Sequence, residues 1–75
     1  MEQEDYNKQR LGEIGNLIRN YRINEGMSRQ DLSEVSGVHE NTIARMESGG
    51  NTTLLNLVVI ADGLGIDIGD LLIAD

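Results

Sequence analysis

The chain predicts an all-α fold of five short helices, and three features predict it. Its apolar side chains are mainly Leu, Ile, Val and Met, with no proline or tryptophan and only Tyr6 and Tyr21 as aromatics. Such a core suits packed helices better than sheets, which favour β-branched and aromatic residues. Within successive segments the apolar positions recur at three- and four-residue steps. Glycines then close the segments at Gly26, Gly37 and Gly65, the kind of position at which helices commonly stop.

Taken in order, residues 1–7 (MEQEDYN) are acidic and aperiodic and are expected to form a flexible tail, leaving 8–75 as one domain. From about Lys8, the residues Leu11, Ile14, Leu17, Ile18 and Tyr21 mark a first helix ending at Gly26. Ser28 reads as the N-cap of a second helix, with Asp31 at its third position completing a capping box. Leu32 and Val35 are expected to form its buried stripe, and Gly37 ends it. So short a join, made around a glycine free to adopt positive φ, predicts a steep crossing into the third helix. That helix runs from about Glu40 to Glu47 and stops at Ser48-Gly49-Gly50. Its side of the core holds Val38, Ile43 and Met46, so His39, Glu40, Asn41 and Arg45 point outward. Thr52 or Thr53 can cap a fourth helix carrying Leu54, Leu57, Ile60, Ala61 and Leu64. Gly65 closes it, Asp67 caps a fifth, and Ile68, Leu71 and Leu72 dock that last turn.

Composition narrows the function. A chain of 75 residues offers one domain and buries only about 60–65% of its unfolded surface, so modest stability is expected unless it associates. There is no cysteine to form a disulfide or a thiolate metal site. No basic-then-apolar leader is present, and no apolar run approaches the roughly 18 residues of a membrane span, so a cytoplasmic protein without a membrane partner is expected. His39 is the only histidine, and HENTI lacks the second histidine of an HExxH pattern, so no metal site is expected. Gly63-Leu64-Gly65 is too short for a phosphate loop. Nothing assembles a nucleophile, a base and an oxyanion donor, so neither an enzyme, a cofactor nor a small-molecule substrate is expected. The formal charge of −7 is uneven: residues 8–50 are balanced, while the acidic excess lies in residues 1–7 and 51–75.

The stretch IGNLIRNYRINEGMSRQDLSEVSGVHENTIARMESG, followed by LLNLVVIADGLGIDIGDLL, resembles the phage-repressor and Cro-like (Xre-like) helix-turn-helix regulators. Within the twenty-residue motif starting at Arg29, the small residue falls at Ser33, the turn glycine at Gly37 and the apolar anchors at Val38, Ile43 and Met46. The resemblance implies a five-helix lambda-repressor-like domain with the helix-turn-helix at helices 2 and 3, and a function in binding double-stranded DNA. In that family the third helix enters the major groove with its N-terminal residues against base edges. Carried onto this chain, the implied base readers are His39, Glu40, Asn41, Thr42 and Arg45. The chemistry fits: Asn41 can bridge adenine N6 and N7, Arg45 can take guanine, and Glu40 can accept from cytosine. Ser28, Arg29 and Ser48 are the implied phosphate contacts. Arg22 and Glu47 match a family ion pair linking the first helix to the end of the third.

Several positions depart from the family pattern. Arg29 stands where glutamine is usual, His39 where serine or threonine is usual, and Thr52 where proline is usual. The loop GGNTT lacks the cations with which many relatives grip the backbone, so little counterion release and low affinity per subunit are expected. Glu40 reads either as a favourable charge at a helix start or as a filter that repels phosphate. Leu55, Val58, Val59, Leu72 and Ile73 exceed what one helix face can bury. They read either as a generous core for a small domain or, as the resemblance implies by pairing through this end, as the contact of a homodimer that recognises an inverted repeat as a repressor. The alternative is an antitoxin-like module in which the same apolar helices bind another protein and DNA contact is secondary.

Overall fold

The computed structural model describes residues 3–72. Among them are five helices: α1 (Gln3–Asn24), α2 (Arg29–Ser36), α3 (Glu40–Glu47), α4 (Leu54–Leu64) and α5 (Gly69–Leu72). The all-α expectation holds, and each interior boundary has a local cause. Helix α1 gives way to α2 at Gly26 (φ +69°), where the Met27 amide reaches back to the Arg22 carbonyl at 3.0 Å. The Ser28 hydroxyl accepts the Asp31 amide at 3.0 Å while the Asp31 carboxylate accepts the Ser28 amide at 2.9 Å, forming the expected capping box. Of the two threonines before α4, Thr53 supplies the cap, accepting the Asn56 amide at 3.1 Å.

Two boundaries differ from expectation. Helix α1 begins at Gln3, so residues 3–7, read from the sequence as a tail, are helical. Glu4 and Asp5 fall in the first turn, where the helix dipole favours negative charge, although Asp5, Tyr6 and Asn7 are weak helix formers. At the other end, no side-chain cap is made by Asp67. Its amide instead donates to the Asp70 carboxylate at 3.3 Å, and α5 is a single turn.

The core joins Ile18 of α1, Leu32 of α2, Val38 of the turn, Ile43 and Met46 of α3, Leu57, Ile60, Ala61 and Leu64 of α4, and Leu71 of α5. Ile14, Leu17 and Tyr21 pack against it partly buried. Helix α3 packs on both α1 and α2, α2 packs on α4, and α5 closes against α1. Val35, expected in the buried stripe of α2, is exposed, as are Leu54 at the start of α4 and Leu72, read from the sequence both as docking α5 and as part of a dimer contact. Val35 lies at the rim of the α2–α4 seam, which narrows at Gly63. A Cβ there would stand 3.2 Å from Leu32 Cδ1, Ser36 Cβ and Val35 Cγ2. Leu54 opens α4 and projects past the core, while Leu71, rather than Leu72, takes the inward position on α5.

Candidate nucleic-acid interface

The α2–α3 turn is built from three residues. Gly37 adopts φ +79° and its amide caps α2 by donating to the Ser33 carbonyl at 2.9 Å. Few residues other than glycine take that conformation without strain. The Ser36 hydroxyl then accepts the Val38 amide at 3.1 Å, and Val38 drops into the core. The chain therefore leaves the turn with His39 extended and α3 beginning at Glu40.

Helix α3 is divided along its length. Ile43, Met46 and Glu47 face inward and are buried. His39, Glu40, Asn41 and Arg45 are exposed, with Thr42 half-buried beside them. All five predicted base readers thus cluster on the outer side and N-terminal turn of one helix. Arg45 has additional support, because its stem lies over the following loop: a Cβ on Gly50 would meet Arg45 Cγ at 2.5 Å and its carbonyl oxygen at 3.0 Å. Gly50, read from the sequence only as part of a helix stop, is also what gives this arginine room, whereas Gly49 (φ +88°) lies against Gly12 of α1.

The inner end of α3 is fastened by charge. Arg22 donates to both Glu47 carboxylate oxygens, from Nε at 2.7 Å and from Nη2 at 3.1 Å, and from Nη1 to the Met27 carbonyl at 2.8 Å. The Glu47 side chain is 1% exposed, so its charge is sustained by these bonds rather than by water. The hydrogen bond to Glu47 raises the Arg22 guanidinium above its ordinary range, with burial opposing. Arg29 joins the same carboxylate, Nε to Oε1 at 3.2 Å, from a side chain 43% exposed. This link was not foreseen from the sequence. Arg29 and Glu47 are 18 positions apart, and only the folded crossing of α2 and α3 brings them together.

Helix α1 presses closely on this joint at Gly15. A Cβ there would collide with the Met46 carbonyl oxygen and stand 2.9 Å from that of Glu47. Glycine in mid-helix is unfavourable by about 1 kcal/mol relative to alanine, and the close approach of α3 explains its presence.

The predicted phosphate contacts lie around the same surface. Ser28 and Arg29 sit exposed at the start of α2, and both Nη atoms of Arg29 lack a hydrogen-bond partner among the described residues. Ser48 is exposed at the end of α3, but its hydroxyl donates to the Ala44 carbonyl at 3.0 Å, so its proton is engaged. His39 uses its ring Nδ1 to accept the Asn41 amide at 3.0 Å and so caps α3 in place of the serine or threonine usual in relatives. Leu55, Val58 and Leu72 of the predicted dimer contact are exposed, as is Leu54 at the start of α4. Val59 is partly buried against the core, and Ile73 lies outside the described residues. No helix among the described residues is long and apolar enough to cross a membrane.

Comparison with known proteins agrees with the fold. The family model described as helix-turn-helix matches residues 18–71. The fold superposes on the crystal structure of the restriction-modification controller protein C.AhdI from Aeromonas hydrophila with a TM-score of 0.79 and 29% identity, covering 81% of this chain and 94% of that one. No curated protein matches the chain.

Proposed function

The chain belongs to the phage-repressor and Cro-like helix-turn-helix family of DNA-binding transcriptional regulators, and on that premise we propose that it is a homodimeric repressor. Helix α3 enters the major groove of each half of an inverted repeat. The observation that carries this reading is the division of α3. Ile43, Met46 and Glu47 seat the helix, so that His39, Glu40, Asn41 and Arg45 stand clear of the fold. Asn41 and Arg45 read base edges, and Ser28 and Arg29 hold phosphate at the α2 N-terminus. The likeness to a restriction-modification controller supports a regulator of that general type.

Dimerisation is supported by the exposed apolar band of Leu54, Leu55 and Val58 on α4. Pairing through it places two α3 helices on half-sites about one helical turn apart. It also offsets the weak grip expected of a subunit with a formal charge of −7.

Selection from random duplexes is the decisive experiment, and a palindromic site is expected. Asn41→Ala or Arg45→Ala is expected to relax the preference at its own position by about 1–3 kcal/mol. Arg29→Ala is expected to weaken all sequences alike. Reporter transcription with the operator overlapping the promoter tests the sign, which must be negative. A second reading rests on the same apolar band and on the absence of cations from Gly49–Thr53. In it, α4 and α5 bind a different protein and DNA contact is secondary. That reading gains if no site is enriched at low salt while a stable heteromeric complex is isolated.

A further inference from the structure

The cap on α3 determines the chemistry that His39 can offer. Its Nδ1 accepts the Asn41 backbone N–H at 3.0 Å. A backbone amide only donates, so Nδ1 must present a lone pair, and the neutral imidazole carries its one proton on Nε2. The imidazolium, with protons on both nitrogens, cannot make this bond. His39 is exposed, extended (φ −61°, ψ 144°) and immediately ahead of Glu40. No other hydrogen bond of its ring is present among the described residues.

We propose that His39 is a specificity-determining residue of fixed polarity. With Nδ1 committed to the helix, it presents Nε2–H as a hydrogen-bond donor and has no ring acceptor to offer. At the base it faces, that donor is matched by guanine N7 or O6, adenine N7 or thymine O4. It is mismatched by the cytosine N4 amino group, which is itself a donor. Capping alone does not explain the residue, because serine, threonine, aspartate and asparagine are the side chains preferred at an N-cap. Serine satisfies the same amide but has no second polar atom on the far side of a ring. Adjacent Glu40 has the opposite polarity, since a carboxylate only accepts. The N-terminal edge of α3 therefore offers a donor followed by an acceptor, and two neighbouring positions of the site are read with opposite requirements.

This inference rests on α3 entering the major groove, and the test separates the two claims. Long-range 15N–1H correlation of the His39 ring in the full free chain at neutral pH is expected to show the Nε2–H tautomer; the Nδ1–H tautomer overturns the inference. His39→Ser keeps a cap, so its melting temperature is expected to stay near that of the natural chain, whereas His39→Ala melts lower. In site selection, His39→Ser is expected to lose discrimination against cytosine at one position per half-site by about five- to tenfold, leaving the other positions unchanged. His39→Asn can cap through Oδ1 and donate through Nδ2, and is expected to recover part of that preference. Unchanged base preferences in His39→Ser reduce His39 to a cap and overturn the proposal. A uniform loss on all sequences also overturns it, by assigning His39 to phosphate. If the natural chain enriches no site at all, the groove reading fails first and takes this role with it.

Discussion

On α3 and its N-cap the side chains left in solvent are His39, Glu40, Asn41 and Arg45; on α4 they are Leu54, Leu55 and Val58 at its start, with Asp62 near its end. Both faces are uncovered, but with opposite consequences. Water satisfies the polar face, so covering it is favourable only when a partner supplies matching donors and acceptors. The apolar face gains on the order of 25 cal/mol per Å² from almost any apolar cover. One face is suited to discrimination and the other to association. The inner sides differ in the same way. The end of α3 is pinned by the buried Arg22–Glu47 pair and by carbonyl contact with α1, whereas among the described residues α4 is held to its neighbours by aliphatic packing.

The largest expected effect comes from removing the pin. Arg22→Ala leaves Glu47 buried with only the longer bond from Arg29. It is expected to cost about 3–5 kcal/mol in urea denaturation, with DNA affinity falling in parallel. Arg29→Ala breaks a partly exposed link to the same carboxylate and is expected to cost less than about 1 kcal/mol. Equal costs for the two substitutions would show that the buried pair does not seat α3. Next in size is Gly15→Ala. Alanine favours a helix, yet the added methyl collides with the Met46 carbonyl, so a net loss of about 1–3 kcal/mol is expected. Gly12→Ala is the control on the same helix. A Cβ there meets nothing within 4 Å, and a gain of up to about 1 kcal/mol is expected.

The α4 face is tested by Leu55→Lys. Leu55 is 69% exposed, so the stability of the separated subunit is expected to change by no more than about 0.5 kcal/mol. Self-association, measured by sedimentation, is expected to weaken by about 1–2 kcal/mol, roughly five- to thirtyfold. The mirror experiment is Asn41→Ala, which is expected to leave association intact while altering site choice. If Leu55→Lys changes neither the sedimentation coefficient nor the affinity for a full palindrome, α4 is not the dimer contact.

Sequence reasoning reads these regions unequally. The interior helix ends were legible because Ser28, Gly37, Thr53 and Gly65 act on amides and carbonyls within a few positions of themselves. The extent of α3 and its outer residues followed from the same local signals and from the family resemblance, which also supplied the Arg22–Glu47 pair. The link from Arg29 to Glu47 and the fit of Gly15 against Met46 were not legible, because each is made by helices crossing in space. Spacing placed Val35, Leu54 and Leu72 on apolar faces, but it cannot tell whether a neighbour reaches far enough to cover them. His39 was legible as an outward residue, while its cap was obscured by a side chain seldom found in that role.

The smallest effect expected distinguishes the starts of α2 and α4 by pH. Asp31 is held below the usual carboxylate range, first by the hydrogen bond from the Ser28 amide and then by the Ser28 side chain. A folded value below the unfolded one means that the charged carboxylate stabilises the fold. That contribution is complete above the ordinary aspartate value of about 4 and is lost as pH falls through the lower folded value. The group is fully exposed, so the effect is slight. It appears as a shallower acid limb in Asp31→Asn than in the natural chain when stability is followed from about pH 5 to pH 2. The Thr53 cap of α4 has no titrating partner, since its hydroxyl accepts only the Asn56 amide. Thr53→Ala is therefore expected to lower stability by about 1 kcal/mol without changing the slope of that limb. An unchanged limb in Asp31→Asn would mean that the Ser28–Asp31 box does not hold the start of α2, where Ser28 and Arg29 are proposed to meet phosphate.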